Sequence, residues 1–308
     1  MQKSVELSIL YEALAPVKQW IKQFGEDGVF EEAAVDMYSE QSLSHQTVSP
    51  FPGPENIHAL RLTELCQRLN LNSAERDLLL LCVGMEIDPE WPLLCALAHR
   101  NKMMAHPTFR LAQNIIPTLT PKSICSAGSL RYWGVIHLGQ GLTAFTSPLI
   151  LDESILHYLL GNTCLPEALA GSFKVLPSKK DTLSSSQQTV VEEMMSAWVK
   201  STRVFQLCGT DCLLQSAIAS YFCHGAEIAL YRLSVETLPS SPEDFRMFMR
   251  LWQREVKLND YALFINWDQS NINSNIKTRL SVLVETTEGP IIVMTSDRID
   301  LPATSVHT

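Results

Sequence analysis

Three segments of different hydrophobic pattern make up the chain, separated by two polar stretches. In the first, Leu7, Leu10, Leu14, Val17, Ile21 and Phe24 recur at alternating steps of three and four, the spacing of one helical face. This predicts an amphipathic arm over residues 1–38, docked on its own domain or on a neighbouring subunit rather than free as a coiled coil. Pro16 lies inside the pattern and is expected to break or kink the helix. The Ser-, Pro- and Gly-rich stretch that follows predicts a linker over 39–59.

The second segment, 60–173, opens as helix, short turn, helix in "LTELCQRLNLNSAERDLLLLCVGMEIDPEW". Leu62, Leu65, Cys66 and Leu69 form an apolar stripe, Ser73 is the expected N-cap of the next helix, and Pro89 stops it. Further helices are expected in "WPLLCALAHR" and after Pro107. "LRYWGVIHLGQGLTAFTSPLIL" then reads as two apolar runs joined across Gly139-Gln140-Gly141, a β-hairpin. Asp152 caps a last helix that ends at Gly161. Helices followed by a hairpin predict a winged-helix-like domain, and a polar linker is expected over 174–189.

From 190 to 308 the pattern alternates between short apolar runs and longer helical stretches. The runs "RVFQLCG", "EIALYRLS", "YALFINW" and "PIIVMTS" predict four strands. Between the second and third, Ser241 and Pro242 open a helix with Glu243 and Asp244 in its first turn. Its apolar face is Phe245, Phe248, Met249, Trp252 and Val256. Strands alternating with helices imply a parallel sheet covered on both faces. The chain therefore reads as α/β, a helical, winged-helix-like domain followed by a truncated parallel module with neither fifth strand nor helical lid.

Composition narrows the function classes. No apolar run is long enough to span a bilayer, and the N-terminus has no secretory signal pattern. Eight scattered cysteines without a CxxC pair fit a reduced, cytoplasmic protein. A formal net charge of -9 disfavours non-specific binding to nucleic acid or acidic lipid. Residues 60–173 carry eight basic and nine acidic side chains, a net of -1. The candidate recognition helix, "AERDLLLLCVGM", offers Arg76 and four successive leucines where a groove-reading face needs polar and basic residues. Nucleic acid is thus an unfavoured partner and a protein-interaction role the favoured one.

The candidate chemistry lies after the first strand of the last segment. A phosphate-binding loop reads GxxxxGK[ST] between strand and helix. Its backbone N–H groups cradle the phosphates, its lysine neutralises them and its hydroxyl binds magnesium. Here the frame reads Gly209-Thr210-Asp211-Cys212-Leu213-Leu214-Gln215-Ser216, with the helix expected to begin after Gln215. Gly209 and Ser216 are in place, whereas Leu214 replaces the second glycine and Gln215 the lysine. A leucine forced into a left-handed conformation costs about 1–2 kcal/mol, so the usual loop shape is not expected. Asp211 adds a repulsive charge. A metal-binding Asp and catalytic Glu belong at the end of the third strand, where Asn266 and Trp267 stand instead, with Asp268 next. Thr295 or Ser296 takes the polar position ending the fourth strand, and Arg298 reads as a surface charge rather than an intersubunit finger. Any nucleotide is expected on Gly209, Gln215 and Ser216 alone, weakly and without turnover. Cys208, Cys212, Cys223 and His224 do not have the spacing of a zinc site, and no metal is expected there.

The stretches "LCQRLNLNSAERDLLLLCVGMEIDPEW", "LTAFTSPLILDESILHYLLG" and "LCGTDCLLQSAIASYF…LYRLSVETLP" resemble the N-terminal half of the AAA+ ATPases that accompany phage-tail-like extracellular contractile injection systems. The resemblance implies a winged-helix-like region, a degenerate first ATPase module, and an active second module that uses ATP and magnesium. It further implies a cytoplasmic hexamer that assists assembly or loading of the particle. The alternative is a stand-alone adaptor that binds nucleic acid through its winged-helix-like domain.

Overall fold

The computed structural model describes residues 2–26, 60–177, 183–268, 272–301 and 304–307. These divide into two compact units, Met1–Cys164 and Leu165–Thr308. The linker expected over 39–59 lies outside the described residues.

In the first unit α1 (Gln2–Glu26) is followed by α2 (Leu60–Arg68), α3 (Ser73–Ile87), α4 (Trp91–Ala98), α5 (Phe109–Ile115), α6 (Pro121–Ile124) and α7 (Ser129–Tyr132). The strands β1 (Ile136–Leu138) and β2 (Leu149–Leu151) and the helix α8 (Glu153–Leu159) complete it. The arm helix packs on α3, α4 and α5 of its own unit, burying Leu10, Leu14, Val17 and Ile21. Lys18 bridges Asp88 at 2.7 Å and Glu90 at 2.9 Å, and Tyr11 Oη donates to Ile87 O. Of the break or kink expected at Pro16, the break does not occur: the helix runs through it. Proline leaves the carbonyl of residue 12 without its helical donor. Glu12 lies on the exposed side, where water can take that place, and buried Leu14 and Val17 fix the chain on either side of the proline.

The cap of α3 is Asn72 rather than Ser73. Its side chain accepts from Glu75 N at 3.0 Å while Glu75 Oε2 accepts from Asn72 N at 3.1 Å, a reciprocal capping box. The expected hairpin forms, with Ile136 facing Leu151 and Leu138 facing Leu149. Residues 139–148 separate its strands, so the connection is longer than the Gly-Gln-Gly turn read from the sequence. Asp152 caps α8 as expected.

The second unit begins with α9 (Glu167–Ala170) and β3 (Phe173–Val175), then α10 (Ser185–Val199), β4 (Val204–Cys208), α11 (Cys212–Gly225) and β5 (Ala229–Leu233). A 3-10 turn at Val235–Thr237 leads to α12 (Pro242–Asn259), β6 (Tyr261–Asn266), α13 (Ser274–Thr286), β7 (Ile291–Thr295) and β8 (Thr304–His307). The ends of the stretch expected as a linker, 174–189, are taken up by β3 and α10.

The sheet order is β3-β5-β6-β7-β4-β8. All pairings are parallel except β3 with β5, so the sheet is mixed rather than wholly parallel. Strand β8 beside β4 corrects the expectation that the sheet has no fifth parallel strand. The four strands read from the sequence are all present. Their side chains alternate between two cores. Tyr231, Leu263, Ile265, Ile291 and Val293 meet α12 and α13, including Phe248 and Trp252. Leu230, Phe205, Leu207, Phe264 and Ile292 meet α10 and α11, including Met194 and Phe222. The period-two pattern of the strands thus feeds both covered faces.

Among the described residues, no helix is long and apolar enough to cross a membrane.

Candidate functional site at the β4–α11 turn

Strand β4 lies between β7 and β8, while the chain leaves it through α11 to reach β5 on the far side of β6 and β7. Its C-terminal end is therefore a point where successive connections diverge, the place where open α/β sheets bind ligands. The turn there is short. The strand ends at Cys208 and α11 begins at Cys212, four residues before the start expected from the sequence. Leu214 is consequently inside the helix and is not among the residues with positive φ. The strain argued for it does not arise, because helix replaces the curled loop.

Several of the groups that would receive a phosphate are met from within the chain. Asp211 Oδ1 accepts from Leu213 N at 3.0 Å and Leu214 N at 3.1 Å, so its carboxylate occupies the positive end of α11. An anion would bind to these same N–H groups. Gly209 N donates to Thr295 O at 2.9 Å, and Gln215 N to Asp211 O at 3.1 Å. The sequence presents Asp211 as a repulsive charge; in the fold it is the N-cap, a role legible from an Asp standing just before a helical apolar run.

Gln215 turns inward and is 1% exposed. Its Nε2 lies 2.9 Å from Leu207 O, 3.1 Å from Gly209 O and 3.1 Å from Thr295 O. One amide nitrogen thereby ties the ends of β4 and β7 to the turn. Its Oε1 is buried without a partner among the described residues, a cost of about 1–3 kcal/mol that the three contacts of Nε2 offset. Ser216 Oγ donates back to Cys212 O at 2.8 Å within the helix. Gly209, Gln215 and Ser216 are thus close together, but the amide and hydroxyl donors of the last two are directed to backbone carbonyls.

At the ends of the neighbouring strands the polar groups also serve one another. Asn266 Oδ1 accepts from Asp268 N at 3.1 Å, and Asp268 Oδ2 accepts from Ser296 N, linking the turns after β6 and β7. Trp267 and Thr295 are buried, and Thr295 Oγ1 donates to Cys208 Sγ at 3.6 Å. Arg298 is exposed. Cys223 is buried in the core under α11 while Cys212 is exposed, and burial pushes the Cys223 thiol up to about 12. No group of three metal-ligating side chains occurs among the described residues.

In the first unit the helix read as a candidate recognition helix is α3, and residues Leu78 to Gly84 along it are all buried. It is a core helix, unable to enter a groove without leaving its unit. The hairpin β1–β2 carries no Lys, Arg, Asp or Glu from Ile136 to Leu151, and Leu142 at its tip is fully exposed.

Residues 53–172 match the family described as a winged helix domain, variant. This part of the chain is accordingly a winged helix domain, its hairpin the wing. Among curated proteins no relative matches the chain.

Proposed function

We propose that the chain is the interaction and oligomerisation portion of an AAA+-type ATPase that serves a contractile injection particle in the cytoplasm, assembling as a hexamer. In this reading ATP and magnesium are used by a second module of the full-length protein, and the β4–α11 turn is a retired nucleotide site. The observation that carries it is the Gln215 amide, which stands at the lysine position of a phosphate-binding frame and is spent on three backbone carbonyls. The placement of β4 between β7 and β8, with the turn at the point of divergence, supports descent from a nucleotide-binding sheet. The Asp211 cap supports its present inability to take an anion.

Titration of the purified chain with ATP and with ADP, each with magnesium, tests the reading by calorimetry. The expected result is no heat up to millimolar nucleotide. Micromolar binding of either would overturn it, because the Asp211 cap and the Gln215 contacts would both have to open.

The winged helix match favours a second reading, an adaptor that binds nucleic acid. Against it stand the buried α3, the uncharged wing and the near-neutral charge of the domain. Duplex DNA binding that falls steeply with added salt would support the adaptor; anisotropy that stays flat at low salt is expected instead.

A further inference from the structure

Asp77 stands in α3, preceding the buried run Leu78 to Val83, and is itself only 2% exposed. Its sole partner among the described residues is Arg76, whose Nε and Nη2 lie 3.3 and 3.2 Å from the same oxygen, Oδ1. Consecutive helical side chains point about 100° apart, so this is a bent contact to one oxygen, and Oδ2 has no partner there. A buried carboxylate compensated so thinly costs free energy that a proton removes.

We propose that Asp77 is a proton-controlled bolt of the winged helix unit. Protonated, it lets α3 stay seated in the core; ionised, it loosens α3 and the elements packed on it, α1, α4, α7 and β2.

Among the described residues, Arg76 is the one charge acting on it. From α1, Lys18 is held by Asp88 and Glu90, Lys22 by Glu90, and Glu12 faces solvent. Strand β2 carries no ionisable side chain, and α4 carries only Cys95, a thiol pushed up to about 12. Arg131 of α7 donates to Ile124 O. On α2, Arg61 lies over the Tyr158 ring and Glu64 accepts from Tyr158 Oη, Arg68 also acts on Tyr158, and the half-buried Cys66 thiol is pushed up to about 12. On α3 itself, Glu75 is engaged by the Asn72 cap and Glu86 lies toward the other end.

Burial pushes the Asp77 carboxyl up to about 7, the Arg76 guanidinium drawing it part of the way back. The folded state thus holds a proton that the unfolded chain releases near 3.8. The stability it contributes is complete below that value and is lost as pH rises through 7. Over the intervening window the folding equilibrium constant falls by up to about tenfold per pH unit. Burial lowers His99 and His106 instead, which favours folding as pH rises through 6.5 and opposes the Asp77 effect.

The difference between wild type and Asp77→Asn removes the histidine contribution. Urea unfolding of the full chain should show Asp77→Asn at least tenfold more stable in folding equilibrium than wild type at pH 8.5. The two should be nearly equal at pH 3, below the unfolded value. An offset that is the same at both values would overturn the proposal. Carboxyl-carbon NMR on the wild type decides the matter even if the variant does not fold. A midpoint near 7 for Asp77 supports the bolt, and titration near 4 with the ordinary carboxylates sinks it.

Discussion

Replacing Gly84 by alanine is expected to destabilise the winged helix unit by roughly 2–4 kcal/mol, although alanine is the better helix former. A Cβ at this position of α3 would stand 2.1 to 2.4 Å from three ring atoms of Trp91. The ring has nowhere to retreat, since Trp91 is fully buried and its Nε1 donates to Leu81 O at 2.9 Å. The helix-propensity gain of about 1 kcal/mol is outweighed by a displaced indole. Urea unfolding measures the loss, and a variant as stable as wild type would refute the close approach. A second change, Trp91→Leu, makes room for the new methyl group. The double variant should therefore lose less than the sum of the two single losses, the signature of direct coupling.

Gln215→Glu should have a comparably large effect in the other unit. The substitution keeps shape and replaces a donor by an acceptor. A carboxylate would face Leu207 O, Gly209 O and Thr295 O at the distances where the amide nitrogen now donates. An uncompensated charge at a 1% exposed site costs about 3–5 kcal/mol. Burial and the three oxygens both favour the neutral acid, so the folded-state pKa of the new carboxyl rises above the unfolded value near 4.3. The penalty is therefore full at neutral pH and shrinks on acidification, as the variant regains stability relative to wild type. Gln215→Met, neutral but unable to donate, should lose only about 1–3 kcal/mol and show no such pH dependence. If Gln215→Glu unfolded at the wild-type urea midpoint at pH 7, the inward amide would be disproved, and with it the reason for calling the turn retired.

The elements that could be read from the sequence are those whose signal is local. The apolar stripe from Phe245 to Val256 and the Ser241 cap define α12 almost to the residue. Continuous burial along β4, β6 and β7 follows from runs too apolar to sit anywhere but the centre of a sheet. The Asn72 cap was within reach as well. Asn72 and Glu75 have the three-residue spacing of a capping box, and a count from Ser73 reaches Arg76 instead. Strand β3 has three residues and β8 has four, lengths at which no periodicity can declare itself. Whether Pro16 breaks its helix is not legible locally, because its cost depends on whether the freed carbonyl meets water, which is a matter of packing.

At the candidate site the division is the same. The frame from Gly209 to Ser216 is written locally and can be found in the sequence alone. The role of Gln215 is not, since one of its acceptors, Thr295 O, comes from a strand 80 residues further on. The early start of α11 likewise depends on the Asp211 carboxylate finding two N–H groups that a phosphate loop would leave open.

The two outermost strands of the sheet have a bearing on assembly. With β3 only three residues long and β8 only four, each border offers few main-chain groups to another polypeptide. Copies of the chain are poorly equipped to join by extending the sheet from one molecule into the next. A ring built from them would be held by side chains on helices and turns, and such joints can be remade one residue at a time without disturbing the fold beneath.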